Sequence, residues 1–286
     1  MTRYRHLILD GLDIFYREAG NPNKPTLLLL HGFPASSFMF GRLMESLADD
    51  FHLIAPDYPG FGYSAAPEPG KQEVTFDFLV DVIQTFMDQL GLSEYWLYMQ
   101  DFGGPVGFRL AARHPERVLG LIIQNANAYE EGLPDSFWAP AKQLWDHPSA
   151  ENIEQIRNLA TSDDALSWNY THGTRDPQSI NPDNWVLQQT LLAKPGIRDI
   201  MVGLLKDYGS NPPLYGQWQA YFREFKPRTL ITWGKNDVIF PPEGAYPYLR
   251  DIPDAELHLL DTGHFALEED LDVIANHIRR VAAAGV

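Results

Sequence analysis

Four segments, "TLLLLHG" (26–32), "FHLIAPDYPGFG" (51–62), "YWLYMQ" (95–100) and "VLGLIIQNAN" (118–127), carry short runs with almost no charged residue. A strand that is apolar throughout has no face to give to water, so it must lie in a sheet covered on both sides. Between these runs stand stretches of helical spacing: "SFMFGRLMESLADD", "TFDFLVDVIQTFMDQLGL", with Gly91 as its C-cap, and "GPVGFRLAARHP". Strand and helix in regular alternation specify an α/β fold, a mostly parallel sheet with helices on both faces. Ahead of them, "HLILDGLDIFYREAG" reads as a hairpin turning at Asp10-Gly11.

The alternation stops near Asn127 and resumes with "RTLITWG", "YLRDIP", "ELHLLDTG" and a last helix, "DLDVIANHIRRVAAA". The stretch between is rich in tryptophan and proline and reads as amphipathic helices ("ENIEQIRNLATSDDALSW", "NWVLQQTLLAK", "GIRDIMVGLLKDYG") without a strand. The organisation expected is a core at residues 1–127, a helical lid at 128–218, and the rest of the core at 219–286. A chain of 286 residues suits one core with such an insertion.

The formal net charge of −16 argues against nucleic acid or an anionic membrane surface as partner. The absence of cysteine removes disulfides, thiol nucleophiles and thiolate-held metals. The first twenty residues lack the apolar stretch of a signal peptide, and no run approaches the length of a membrane span, so a soluble cytoplasmic protein is expected. His31 and His258 stand in no zinc-like spacing with other ligands, and no metal or cofactor is expected. "GFGYS" (60–64) lacks the lysine and the glycine spacing of a phosphate-binding loop.

In "LYMQDFGGPVG", Asp101 follows a strand and precedes Gly103, Gly104 and a helix. A tight strand-to-helix turn holds its central side chain above the carboxyl edge of the sheet, where open α/β folds bind ligands. An isolated Asp-x-Gly-Gly could equally be a helix N-cap, and other residues must decide. His264 in "LLDTGHFALEEDL" and Asp237 in "LITWGKNDVIF" each follow a later strand. Residues at the carboxyl ends of successive parallel strands converge in space, so an acid, a histidine and an orienting acid meet as in a nucleophile–base–orienter set. "HGFP" (31–34) can present the Phe33 N–H, which with the Phe102 N–H would form an oxyanion hole.

In "LLLLHGFP", "PDYPGFGYS", "MQDFGGPVG", "ITWGKND" and "TGHFALEE" the chain resembles the α/β-hydrolases, and among them the aspartate-nucleophile branch of epoxide hydrolases and haloalkane dehalogenases. The resemblance implies Asp101 as a nucleophile toward sp3 carbon. His264, oriented by Asp237, would activate the water that hydrolyses the resulting ester. It also implies a cis Phe33–Pro34 bond. Dehalogenases place a halide-donating tryptophan right after the nucleophile, with a second donor in the lid or after the "HG" turn; here those adjacent positions hold Phe102 and Phe33, which cannot donate from their side chains. Epoxide hydrolases use two lid tyrosines, and Tyr208 resembles the second of them, with Tyr215 as competitor. For the first donor, Tyr170 and His147 are the candidates, the alternative being an enzyme that works with one strong donor. Trp138 and Trp145, with His147 and Tyr215, are expected around an apolar substrate pocket. Met99, where glycine is common, and Gln100 lean toward the dehalogenase pattern. The reading is hydrolysis of a small apolar epoxide by water, with haloalkane dehalogenation and a non-catalytic binding protein of the same fold as alternatives.

Overall fold

The computed structural model describes residues 1–68 and 70–283. Strands β1 (Arg3–Leu9) and β2 (Leu12–Gly20) form the hairpin, and β3 (Thr26–Leu30), α1 (Gly41–Leu47), β4 (His52–Pro56), α2 (Phe76–Gln89), β5 (Tyr95–Gln100), α3 (Gly103–Arg113) and β6 (Val118–Gln124) alternate as expected. The insertion carries α4 (Asp135–Asp146), α5 (Ala150–Thr161), α6 (Asp163–Thr171), α7 (Asp183–Leu192) and α8 (Ile197–Asp207), and α9 (Tyr215–Phe225) leads back to the sheet. The chain closes with β7 (Thr229–Gly234), α10 (Tyr248–Asp251), β8 (Glu256–Leu260) and α11 (Leu267–Ala283).

The eight strands lie in the order β1-β2-β4-β3-β5-β6-β7-β8. Only β2 runs against its neighbours. The pairings Leu30 with Met99, Gln100 with Gln124, and Gly234 with Leu260 bring the carboxyl ends of β3, β5, β6, β7 and β8 to one edge. In the hairpin turn Asp10 and Gly11 both take positive φ, 48° and 88°, the backbone that a two-residue turn with right-twisted strands requires. The Phe33–Pro34 bond is cis, as expected.

The sheet separates two apolar layers. On one face Leu28, Leu30, Leu97 and Met99 meet the buried side chains of α2, α3 and α9; on the other Leu27, Leu29 and Tyr98 meet those of α1 and α11. The methionine at 99 is accommodated by Gly107 on α3, where a Cβ would lie 2.3 Å from the Met99 sulfur. Gly103 is needed for the same reason: its Cβ would fall 2.2 Å from the Leu30 carbonyl oxygen, so only glycine lets α3 approach β3 this closely.

Two expectations shift. The boundary at residue 218 falls inside α9, whose Trp218 and Phe222 pack on Phe108 of α3 at ring separations of 5.3 and 5.5 Å. Helix α9 thus covers the sheet, and the helices standing over the carboxyl edge are α4–α8. The segment "ENIEQIRNLATSDDALSW" is two helices, because Ser162 takes extended backbone and its hydroxyl caps α6 through the Ala165 N–H. Among the described residues no helix is long and apolar enough to cross a membrane.

Candidate active site

Asp101 stands between β5 and α3 with φ of 50°, a left-handed conformation that turns its side chain away from the sheet and leaves it 5% exposed. Its Oδ1 accepts the Phe33 N–H at 2.5 Å. Gly32 must be glycine, since a Cβ there would lie 2.3 Å from the Asp101 Cβ. Burial pushes the carboxyl up to about 6; the charge of His264 and the N–H groups of Phe33 and Phe102 pull the other way, and Asp237 adds a small upward push. The N-terminus of α3 adds a positive field at the same place. The two backbone N–H groups expected to form an oxyanion hole therefore meet at this carboxylate, where charge would also develop on an ester carbonyl at Asp101.

His264 follows β8 and is buried. Its Nδ1 lies 2.7 Å from Asp237 Oδ2, and its Nε2 lies 3.8 Å from Asp101 Oδ2 and 2.9 Å from Gln100 Nε2. With Nδ1 donating to Asp237, Nε2 is left as the basic nitrogen facing Asp101. Burial alone would depress His264, but the charge and hydrogen bond of Asp237, with Asp101 behind them, outweigh it and raise the imidazole above its ordinary value. Asp237 is itself fixed by the Ile239 N–H and by Asn125 Nδ2, both at 2.8 Å. Asn125 also accepts the Gly234 N–H at 2.9 Å, tying the end of β6 to the end of β7. The sequence reading missed this residue; its signal is the abrupt "QNAN" after an apolar strand.

A cavity of about 270 Å³ opens at Asp101 between the sheet edge and helices α4, α5, α6 and α8. Its walls are mostly apolar: Phe33, Phe102, Trp138, Ile156, Leu205 and Ile239 among them. Besides Asp101, the polar residues among its walls are Ser136 and Asn169, and Trp168 stands there along with Trp138. A buried acid, a histidine whose Nε2 faces it, an orienting carboxylate and an adjacent apolar cavity come together here, an arrangement suited to nucleophilic hydrolysis.

The family model for the alpha/beta hydrolase fold matches residues 25–271. The chain belongs to the α/β-hydrolase family. It is 41% identical over 273 residues to an uncharacterized hydrolase of Saccharomyces cerevisiae, covering 95% of this chain and 93% of that one. It is 30% identical over 261 residues to haloalkane dehalogenase 2 of Mycobacterium tuberculosis, covering 88% of this chain and 85% of the relative. The solved structure of haloalkane dehalogenase DbeA from Bradyrhizobium elkani has the same fold, with a TM-score of 0.82, 20% identity, and coverage of 100% of this chain and 99% of that one. The similarity to the mycobacterial dehalogenase puts the hydrolase on the dehalogenase/epoxide-hydrolase-like branch of the family.

Around the cavity of this α/β-hydrolase the expected lid residues divide. Trp138 lines it, and its indole N–H is taken by the Ile239 carbonyl at 2.7 Å. Trp145 is half-buried outside the wall, and its N–H goes to the Leu205 carbonyl at 2.9 Å. Tyr208 is wholly buried and packs on Phe102 and Trp138, at ring separations of 5.9 and 4.9 Å, without itself lining the cavity. Its hydroxyl makes no well-formed hydrogen bond, and interacts only with the neighbouring Tyr215 hydroxyl. Tyr215 accepts the Asn127 side-chain N–H at 3.0 Å and is not a wall of the cavity.

Two expectations are corrected. Tyr170 does not reach the cavity: its ring stacks on Phe265 at 3.9 Å in the core layer of α1 and α11. His147 ends α4, exposed to solvent and off the cavity wall. Trp168 lines the cavity instead, and the sequence reading did not single it out.

His31 is a core residue, its Nδ1 on the Gly32 carbonyl at 3.0 Å and its Nε2 accepting the Tyr58 N–H at 3.3 Å. The "GFGYS" loop wraps Asp57, whose Oδ2 accepts the Tyr63 N–H at 2.9 Å. His258 does meet two other potential ligands, Glu256 and His277, at the opposite end of β8 from His264, but Arg280 already pairs with Glu256 at 2.5 Å.

Proposed function

We propose that this hydrolase opens a small apolar epoxide to its vicinal diol. Asp101 attacks a ring carbon, forming a C–O bond as the ring C–O bond breaks, and a proton donor supplies the proton that the alkoxide takes up. Water, giving a proton to His264, then attacks the ester carbonyl within the N–H groups of Phe33 and Phe102, and the tetrahedral species expels the alcohol, which takes that proton back. The acid form of Asp101 left behind returns the proton spent in ring opening, so epoxide and water become diol and the enzyme is restored.

The observation that carries this reading over halide displacement is the Tyr208 hydroxyl, buried beside Phe102 without a well-formed hydrogen bond. Leaving a buried donor unpaired costs about 1–3 kcal/mol, a cost that a substrate oxygen would remove. Burial first, then Tyr215 and Asp101, hold this hydroxyl well above the ordinary phenol value, so it stays protonated and able to donate. The reading requires the Phe102–Trp138 wall to part far enough for the epoxide oxygen to reach it. Halide donors are fewer: phenylalanines flank the nucleophile, and the indoles of Trp138 and Trp145 donate to backbone carbonyls.

A second reading, haloalkane dehalogenation, is favoured by Trp168, which lines the cavity and whose indole N–H has no hydrogen-bond acceptor among the described residues, and by the dehalogenase relative. Diol formation from a panel of aryl and alkyl epoxides, with halide release from haloalkanes in parallel, separates the two. Diol from the wild type and none from Asp101→Ala supports the proposal. Halide release without diol moves the assignment to the second reading, and neither product would leave a binding protein.

A further inference from the structure

Gln100 has no role in the scheme above, yet its side chain stands within it. It ends β5, one residue before Asp101, and is wholly buried. Strand alternation sends Met99 into the α3 layer and Gln100 to the opposite side, toward His264. Its Nε2 lies 2.9 Å from His264 Nε2, while its Oε1 is buried with no partner. A buried amide with one oxygen unpaired is a poor packing choice, and an apolar side chain would serve the strand better. The unpaired oxygen also borders the same small space as the Asp101 carboxylate. The point where a Cβ of Gly32 would stand is 2.4 Å from Gln100 Oε1 and 2.6 Å from Asp101 Oδ1, so the two oxygens share the space that glycine leaves open, within about 5 Å of each other.

We propose that Gln100 positions the hydrolytic water, its unpaired carbonyl oxygen accepting one hydrogen of the water whose other hydrogen goes to His264 Nε2. The inference rests on Asp101 being the nucleophile. In the free enzyme the Gln100 amide N–H lies against His264 Nε2, as suits a ring that carries its proton on Nδ1 toward Asp237. The base is therefore held ready before substrate arrives. Once the alkyl ester has formed, water takes the place of the amide at Nε2, with its oxygen toward the Asp101 carbonyl carbon. As the water oxygen bonds to that carbon its proton passes to His264; the carbon–alkoxy bond then breaks and the alcohol leaves with the proton. Gln100 exchanges no proton and forms no covalent bond, so it acts by placing the water and is a positioning residue.

The two half-reactions separate this role from a structural one. Gln100→Leu fills the same volume without either polar group and leaves the attack of Asp101 on the substrate untouched. With an epoxide turned over by the wild type, rapid quenching and mass spectrometry of the intact protein follow the alkyl adduct, and steady-state kinetics give kcat and KM. Alkylation by Gln100→Leu is expected at the wild-type rate, with kcat lowered roughly 10–100-fold, the scale of a misplaced reactant. The adduct should accumulate, and KM should fall with kcat because the slow step moves after ester formation. Gln100→Glu keeps an acceptor oxygen and should recover part of the hydrolysis. Its added carboxylate, facing His264 alongside Asp101 and Asp237, should move the acid limb of kcat to higher pH.

An adduct that fails to accumulate in Gln100→Leu, or alkylation and hydrolysis that decline together, overturns the assignment. His264→Phe serves as the control on the underlying scheme. Adduct in His264→Phe but none in Gln100→Leu discards only the role of Gln100; no adduct in either discards the Asp101 ester and this proposal with it.

Discussion

Asp237 holds the His264 ring through a 2.7 Å contact from its Oδ2 to Nδ1, and both side chains are buried. The same carboxylate oxygen accepts from Asn125, so the ring is oriented by a group that cannot itself rotate. Asp237→Asn would offer the ring an amide that can favour the wrong tautomer, with the proton on Nε2. We expect kcat to fall by roughly 10³–10⁴, the scale on which a wrong tautomer costs a triad. The alkyl adduct should still form, and mass spectrometry of the quenched protein checks it.

The acid limb follows from Asp101. Its carboxyl is raised by burial to about 6, and the proposed attack on carbon needs it ionised. The single-turnover rate of adduct formation should therefore be full above this value and decline as pH falls through about 6. A limb lying near the ordinary carboxylate value of about 4 would show that the site is better solvated than its burial implies.

Stability should move the other way. A carboxyl whose folded value lies above its unfolded one favours the fold most when protonated, so its contribution is full below the unfolded value and is lost as pH rises through about 6. Asp101→Asn removes that loss while keeping an oxygen for the Phe33 N–H. The variant should be inactive and more stable than the wild type by about 1–3 kcal/mol at pH 7.5, a gain that shrinks toward pH 4. Thermal unfolding at the two pH values measures it.

Tyr208→Phe separates chemistry from packing. The hydroxyl makes no well-formed hydrogen bond, so its removal should leave the melting temperature unchanged or slightly higher. Diol formation should nonetheless slow by roughly 10²-fold or more, the contribution of a positioned acid. An unchanged rate would assign the proton to another donor, with Trp168 the first to examine.

Trp138→Phe tests how the lid is fastened. The indole N–H crosses from α4 to the Ile239 carbonyl in the loop after β7, at 2.7 Å. Phenylalanine keeps most of the apolar wall but strands that carbonyl, which should lower stability by about 1–3 kcal/mol in denaturant unfolding.

Much of this site was legible before any fold was in hand. A parallel sheet brings every strand's carboxyl end to one edge, so Phe33, Asp101, Asp237 and His264 had to converge once the apolar runs were recognised as parallel strands. The lid resisted because its helices are apolar on faces serving two purposes, core packing and cavity lining, and hydropathy does not distinguish them. Tyr170 is the clearest case. It stands two residues after Trp168 on α6, and two residues turn a helix by about 200°, so when Trp168 faces the cavity Tyr170 must face away, onto Phe265.

The order of apolar and polar residues along the chain was thus enough to determine the α/β architecture and the hairpin at Asp10-Gly11, and to put Asp101, Asp237 and His264 at strand ends along one edge, because each depends on local backbone preference and strand direction alone. Which aromatic side chains line the cavity, that the indoles of Trp138 and Trp145 are already engaged, that Tyr208 is left without a well-formed hydrogen bond, and that Gln100 lies against His264 were decided only by the tertiary structure. Those outcomes depend on the rotation of each lid helix about its own axis and on groups more than a hundred residues apart meeting within hydrogen-bond distance, as Gln100 and His264 do. Such contacts are set by packing across the whole molecule, which no window of sequence contains.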